Sequence, residues 1–174
     1  MVKRTAKWVV IVALLLGSFG AIAKQRDPLT QDEIDQLREV AQEPEKRLKL
    51  LADFAGARLT TIEKVRAEEK SEKNTPQAIH DLIDDFVAVY DELDDNIAMY
   101  ADRQADLRKA LKPVLLADSD FHARLQGLQH NLNAEERTQC DFAISSAVDA
   151  VNNSTTEHKK LLAEQNASPP PKKK

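Results

Sequence analysis

The feature that most constrains the fold is an apolar stripe that repeats every seven residues over positions 79–132. The steps between its members alternate between four and three residues, and only Gln104 and Asp118 interrupt it with polar side chains. A heptad repeat is typical of a helix that packs lengthwise against other helices. We therefore expect an all-α fold. The stripe consists of Ile79, Ile83, Phe86, Tyr90, Leu93, Ile97, Tyr100, Gln104, Leu107, Leu111, Val114, Asp118, Phe121, Leu125, Leu128 and Leu132.

Pro113 lies inside this stripe. A proline within a helix removes one backbone hydrogen bond and clashes with a carbonyl one turn earlier, at a cost of roughly 3 kcal/mol. Because the repeat continues in phase to Leu132, the sequence favours one long kinked helix over a loop. A fresh helix capped by Asp118 is the alternative. At about 1.5 Å per residue, the kinked helix would be about 80 Å long.

Capping signals mark the helices before the stripe. Thr30 and Glu33 form a capping box, in which each side chain accepts a hydrogen bond from the other residue's backbone N–H. Pro44 suits the first turn of a second helix that should run to about Lys70, and Pro76 suits the start of the central helix. Asn133 and its Glu136 predict a second capping box, which opens a last helix. Residues 152–156 are a weak patch in this helix, which either continues through it or resumes after it to about Gln165.

These elements predict an elongated antiparallel bundle of three to four helices around one long kinked central helix, since short turns place neighbouring helices antiparallel. The flanking helices are shorter than the central one, so one end of it should be covered by a single partner. That end carries Ile79, Ile83, Phe86 and Tyr90. An incompletely covered apolar stripe indicates binding to a partner protein or to a second copy, here through this hairpin tip.

The first 23 residues have the pattern of a secretory signal peptide. A basic start precedes an apolar core, and Ala21-Ile22-Ala23 matches a small-x-small cleavage site. The alternative is an uncleaved membrane anchor, but the apolar core is shorter than the roughly 20 residues of a membrane span. We expect a helical domain over residues 24–166, a disordered tail rich in Pro and Lys over residues 167–174, and a secreted or periplasmic location in a bacterial cell envelope.

The charge of the chain argues against nucleic acid as a partner. The formal net charge is −4, and it becomes −7 when the three basic residues of the leader are removed. Proteins that bind DNA or RNA derive most of their affinity from Lys and Arg on phosphates.

Membrane contact is expected only through an uncleaved leader.

Acidic side chains cluster on the central helix, off the apolar stripe. We expect a solvated outer face, partly paired with basic residues of the neighbouring helix, namely Arg58, Arg66, Lys70 and Lys73. The alternative is a cation-binding surface, although the spacing of a calcium loop is missing. The acidic residues are Asp81, Asp84, Asp85, Asp91, Glu92, Asp94 and Asp95.

Two His–Asp pairs lie one helical turn apart and are candidate metal ligands. His80 with Asp84, and Asp118 with His122, match the spacing of a zinc or copper pair. A di-metal bundle would need inward-facing Glu-x-x-His motifs, which the sequence lacks. Surface histidines without a metal or cofactor are therefore the preferred interpretation. Asp118 is unusual because it lies on the apolar stripe, where it either caps a helix or specifies register as a buried polar group.

Catalysis is not expected. The chain has no Gly-x-Ser-x-Gly motif and no phosphate-binding loop, and two of its four glycines lie in the leader. The single cysteine, Cys140, falls at helical spacing with apolar residues and should be buried.

One family resemblance has a functional implication. The stretch Leu29-Thr30-Gln31-Asp32-Glu33 resembles the Leu-Thr-x-x-Gln motif of small periplasmic stress chaperones and metal sensors, and Leu132 to Arg137 resembles a second copy. The chain is also similar, more loosely, to small exported bacterial helical proteins of unknown function. The first resemblance implies long antiparallel helices and a chaperone or sensor role, although Glu33 and Glu136 replace the Gln of the motif. The leading hypothesis is an exported, non-catalytic structural or interaction protein, with the periplasmic chaperone or stress and metal sensor as the alternative.

Overall fold

The computed structural model describes residues 27–68 and 76–168, and it is all-α. No strand occurs within those two ranges, which confirms the predicted fold class. The helices are α1 (Gln31–Glu39), α2 (Pro44–Ala67), α3 (Pro76–Asp102), α4 (Arg108–His130) and α5 (Ala134–Ala167).

Helices α2 to α5 pack around one core, with α2 and α5 each contacting both α3 and α4. In the described residues the backbones of α2 and α5 do not come close, and neither do those of α3 and α4, so these are the two diagonal pairs. Side chains still cross each diagonal, as in the pair between Arg66 and Glu136. Helices joined by a connection run antiparallel. The unconnected neighbours α3 and α5 run parallel, because the start of α3 lies beside Cys140 and its end beside Gln165.

The predicted continuous helix is wrong, because α3 ends at Asp102 and α4 begins at Arg108. The chain turns at Gln104, whose φ of 58° lies in the left-handed region. The backbone N–H of Ala105 closes α3 by donating to the carbonyl of Tyr100, at 3.0 Å. The stripe stays in phase across this turn because both helices present the same face to one core. Pro113 lies inside α4, and the predicted elongated rod does not form.

The expected uncovered end of the central helix is also absent. Ile79, Ile83 and Phe86 are fully buried, and Tyr90 is only 1% exposed. Helix α5 covers this end of α3 beside α2. The Phe121 ring of α4 also reaches across the diagonal, 5.4 Å from the Phe86 ring and 6.0 Å from the Tyr90 ring. These four side chains therefore belong to the core, and the partner surface predicted on them loses its structural basis.

The predicted helix starts are confirmed. Both capping boxes form, at Thr30 with Glu33 and at Asn133 with Glu136, and Pro44 and Pro76 are the first residues of α2 and α3. Helix α2 ends at Ala67, slightly earlier than predicted.

Buried Cys140 matches its prediction, and its thiol donates to the carbonyl of Pro76 at 3.2 Å. The predicted signal peptide and tail residues 169–174 lie outside the described ranges. None of the helices in those ranges combines the length and the apolar character that crossing a membrane requires.

Candidate functional site

Polar side chains from three helices meet inside the bundle. Tyr90 and Asp94 come from α3, Asp118 from α4, and Ser154 and His158 from α5. We call these five residues the core polar cluster. Asp118 is fully buried and His158 is 3% exposed, whereas the Asp94 side chain is 32% exposed at the edge of the cluster. The cluster is the one place in the described chain where a buried imidazole meets carboxylates.

The contacts in the cluster form a continuous chain. The Tyr90 hydroxyl donates to Asp118 Oδ1 at 2.8 Å, and His158 Nδ1 lies 2.9 Å from Asp118 Oδ2. On the other side of the imidazole, Nε2 lies 3.1 Å from Asp94 Oδ1. This second contact is an ion pair rather than an aligned hydrogen bond, because Asp94 Oδ1 has no hydrogen-bond partner among the described residues. The Ser154 hydroxyl donates to the other oxygen of Asp94.

The electrostatics of the cluster favour a charged imidazole. Burial by itself lowers the pKa of His158, but the hydrogen bond with Asp118, the close contact with Asp94 and the charges of both carboxylates raise it to about 9. Burial, together with the neighbouring charges of Asp118 and Asp94, raises the pKa of Tyr90, which keeps its hydroxyl protonated. At neutral pH the cluster therefore places an imidazolium between two acidic side chains.

This arrangement is poorly suited to catalysis. A general base needs a free lone pair, but both nitrogens of His158 face acidic side chains. The Ser154 hydroxyl donates its hydrogen bond to Asp94 and not to the imidazole, so the geometry of a nucleophilic triad is not formed. What the arrangement does is connect α3, α4 and α5, including the α3–α4 diagonal.

An open groove of about 430 Å³ runs along the outside of the cluster between α3 and α5. Ile97 and Leu161 form part of its apolar wall, and Glu157 and Glu164 line it as well. Asp94 and His158 also border the groove. Solvent therefore approaches the cluster from the Asp94 side.

The structure separates one of the predicted metal-ligand pairs. Asp118 points into the core, where its oxygens contact Tyr90 and His158, so it does not cap a helix and does not pair with half-buried His122. His80 Nδ1 lies 3.3 Å from Asp84 Oδ2 at the surface. No group of three or more His, Cys, Asp or Glu side chains in the described ranges is arranged to hold a metal ion.

The acidic face of α3 is largely solvated, as expected. Asp81, Asp84, Asp91 and Asp95 are exposed. Burial, with the charges of Asp94 and Asp95 nearby, raises the pKa of Asp91. Asp94 departs from the prediction because its carboxylate turns inward to His158.

Arg58 and Arg66 of α2 pair mainly with the two capping-box glutamates. The other two predicted partners of the acidic face, Lys70 and Lys73, lie outside the described residues. Arg58 Nη2 lies 2.7 Å from Glu33 Oε2, and the same guanidinium also contacts the other oxygen of that carboxylate. Arg66 binds both oxygens of Glu136 at 3.1 Å. Each Glu thus closes a capping box and accepts a two-point ion pair. These contacts account for Glu at both positions where the resembling motif has Gln, since an amide would not form the ion pair.

Sequence reasoning missed His158, although the signal was present. His158 continues the buried face of α5 that runs through Ile144, Ala147 and Val151, seven residues after the last of them. A histidine at that heptad position, in a core already containing Asp118, indicates a buried ion pair.

No protein-family model, curated protein or solved structure matches the chain. Its function is therefore inferred from its own residues.

Proposed function

We propose that the chain is an exported, non-catalytic helical interaction protein of the bacterial cell envelope. The observation that carries this proposal is the closure of the core polar cluster. The side chains best equipped for acid–base chemistry, His158 and Asp118, are buried and contact each other. Asp118 is fully buried, and His158 is 3% exposed. Such a cluster holds helices together, and both nitrogens of its imidazole already face carboxylates.

The connections between the helices support the same proposal. The described connections are short, over residues 40–43, 103–107 and 131–133. Catalytic residues are disproportionately carried by loops on a rigid scaffold, and such loops are nearly absent from residues 27–68 and 76–168. The expectation of export comes from the leader pattern in residues 1–23.

The outer face of α5 is the surface we assign to the partner. Phe142 is 85% exposed there, whereas Phe54, Phe86 and Phe121 are buried. Leu116 is also exposed, at 75%, but it belongs to α4 and is not part of this surface on α5. Aromatic side chains are enriched at protein interfaces, so Phe142 is the best position for a probe.

The test is photo-crosslinking of the full chain in its native bacterial host. A photoreactive phenylalanine analogue is placed at Phe142, and a matched control carries it at Lys46, an exposed position on α2, diagonal to α5. We expect an adduct with an envelope protein from position 142 and not from position 46. Adducts from both or neither, or a chain that stays in the cytoplasm with its leader intact, would overturn the proposal.

The chaperone alternative gains no support from the structure, because both motif copies are accounted for by capping boxes and their arginine partners. It remains measurable. If the purified chain, at stoichiometric amounts, suppresses aggregation of an unfolded client, the alternative is favoured over the present proposal.

A further inference from the structure

The last part of α5 is attached to the bundle by few apolar contacts. We call residues 152–167 the C-terminal segment. All of them are described, and His158 is the only buried residue among them. Leu161 and Leu162 are half-buried against the core. The segment is therefore attached mainly through polar groups.

The other polar attachments of the segment are also visible. The Gln165 side chain donates to the carbonyl of Ala105 at 2.9 Å and accepts from the N–H of Leu107 at 2.8 Å. Ser154 donates to Asp94. Gln165 and Ser154 are only half-buried, so the contacts of His158 with Asp118 and Asp94 are the most deeply buried polar attachment of the segment.

The segment begins with residues that favour helix weakly. Residues 152–156 read Asn-Asn-Ser-Thr-Thr, and these residue types have low helix propensity. The hydroxyl of Thr155 donates to the carbonyl of Val151 at 2.6 Å, and that of Thr156 to the carbonyl of Asn152 at 3.0 Å. Such side-chain bonds compete with the helical backbone and weaken it. A local opening would start here at low cost.

His158 satisfies both of its acidic neighbours only as an imidazolium. The charged ring has an N–H on each nitrogen, whereas the neutral ring has one N–H and one lone pair. Asp118 lies at one nitrogen and Asp94 at the other. When His158 loses one proton, one ring nitrogen therefore presents a lone pair, instead of an N–H, to a carboxylate.

We propose that the C-terminal segment is a pH-sensitive latch, which is docked on α3 and α4 while His158 carries both ring protons and detaches when one proton is lost. Detachment would uncover Ile97 and the apolar wall of the groove between α3 and α5. This inference is independent of the proposed function, because it concerns opening and not a partner.

The groups that face His158 come from two other helices. Helix α3 contributes Asp94 and the Tyr90 hydroxyl, and α4 contributes Asp118. On α5 itself, exposed Glu157 pairs with Lys160 at 3.6 Å. Tyr90 has a raised pKa and stays neutral across the range in which His158 titrates. His158 is therefore the group expected to change charge as the medium becomes alkaline.

The direction and slope of the effect follow from linkage. The pKa of His158 is about 9 in the docked state, against an ordinary value of 6.5. A raised pKa means that the docked state is stabilised below pH 6.5 and loses that stabilisation as the pH rises to about 9. The equilibrium constant for opening should rise by about tenfold per pH unit across that interval and then level off.

The test is hydrogen exchange of the full chain between pH 6 and pH 10, with each rate corrected for base-catalysed intrinsic exchange. We expect the protection of residues 157–167 to fall along this slope, while residues 48–62 of α2 keep theirs. Uniform protection throughout, or simultaneous loss in both regions, would overturn the latch, since the second result means global unfolding.

Two variants make the test specific. His158→Gln is neutral at every pH, so its segment should exchange rapidly already at pH 7, with no alkaline slope; His130→Gln, at an exposed position on α4, is the matched control and should behave as the wild type. Asp94→Asn keeps the Asp118 contact and should move the opening midpoint to lower pH. An unchanged midpoint in Asp94→Asn would overturn the role of the second carboxylate in the latch.

Discussion

Asp118 is the most deeply buried charged side chain in the described part of the chain. Taking a carboxylate out of water costs several kcal/mol, and the partners of Asp118 offset that cost. The Tyr90 hydroxyl and the His158 imidazolium occupy its two oxygens. Removing the carboxylate would leave both partners buried and short of an acceptor.

We expect Asp118→Ala to lower the free energy of unfolding by about 3–5 kcal/mol, the usual cost of breaking a buried ion pair. Asp120→Ala is the matched control two residues later on α4, where Asp120 contacts Arg124 at the surface, and it should cost no more than about 1 kcal/mol. Urea denaturation at pH 7 measures both. Equal losses in the two variants would contradict the structural role of the cluster.

Gln104 is the second residue with a specific conformational demand. Its φ of 58° is costly for any residue with a Cβ atom and most costly for a β-branched one. Gln104→Val should therefore destabilise the fold by about 1–2 kcal/mol, while Gln104→Gly should be neutral or slightly stabilising. Thermal unfolding of the two variants checks this order, and a more stable Val variant would contradict it.

Helices α1 and α5 are joined to α2 by ion pairs at their first turns, in addition to their packing in the core. Helix α2 carries Arg58 and Arg66, and each pairs with a glutamate that closes the first turn of another helix. Burial raises the pKa of Glu33, but hydrogen bonds from Arg58 and Thr30 outweigh it, so that the pKa is lowered. The pKa of Glu136 is lowered in the same way by Arg66 and Asn133.

These lowered values predict acid sensitivity. A carboxylate whose pKa is lower in the folded state stabilises the fold above its ordinary value, here 4.5, and loses that contribution as the pH falls through the folded value. Glu33→Gln retains the atoms of a capping box but not the ion pair. It should lower stability at pH 7 by about 1–3 kcal/mol and reduce the loss on acidification.

Glu39→Gln is the matched control, because Glu39 is exposed at the end of α1. It should change stability by less than about 0.5 kcal/mol. Denaturation curves at pH 7 and pH 3 separate the two variants. An acid response of Glu33→Gln identical to that of the wild type would show that the Arg58 pair does not contribute.

At the scale of the whole molecule, the sequence-based expectation and the structure differ in their longest dimension. A continuous helix over residues 79–132 would be about 80 Å long, whereas the longest helix, α5, with 34 residues, is about 51 Å long. Small-angle X-ray scattering of residues 24–174 should therefore give a maximum dimension of roughly 50–65 Å, allowing for side chains and the residues after α5. A value of 80 Å or more, in a monomeric sample, would favour the rod.

Local signals alone predicted a large part of this fold. The helical class, both capping boxes, and the helix starts at Pro44 and Pro76 follow from propensity and from short-range hydrogen bonds, which involve residues within one turn of each other. The burial of the apolar stripe residues over positions 79–132 follows from periodicity, whereas Gln104 is exposed at the turn. These features depend on neighbours in sequence, and those are visible in the printed chain.

Other features depend on contacts between residues distant in sequence. The stripe passes through Gln104 without losing phase, so periodicity could not reveal that the chain turns there and folds α4 back along the core. The same folding buried Tyr90 instead of exposing it. It also brought Asp118 and Asp94 to the two sides of His158, from two other helices. A heptad repeat specifies which face of each helix is covered, but the packing partner of that face is chosen by the total apolar area buried when all helices assemble.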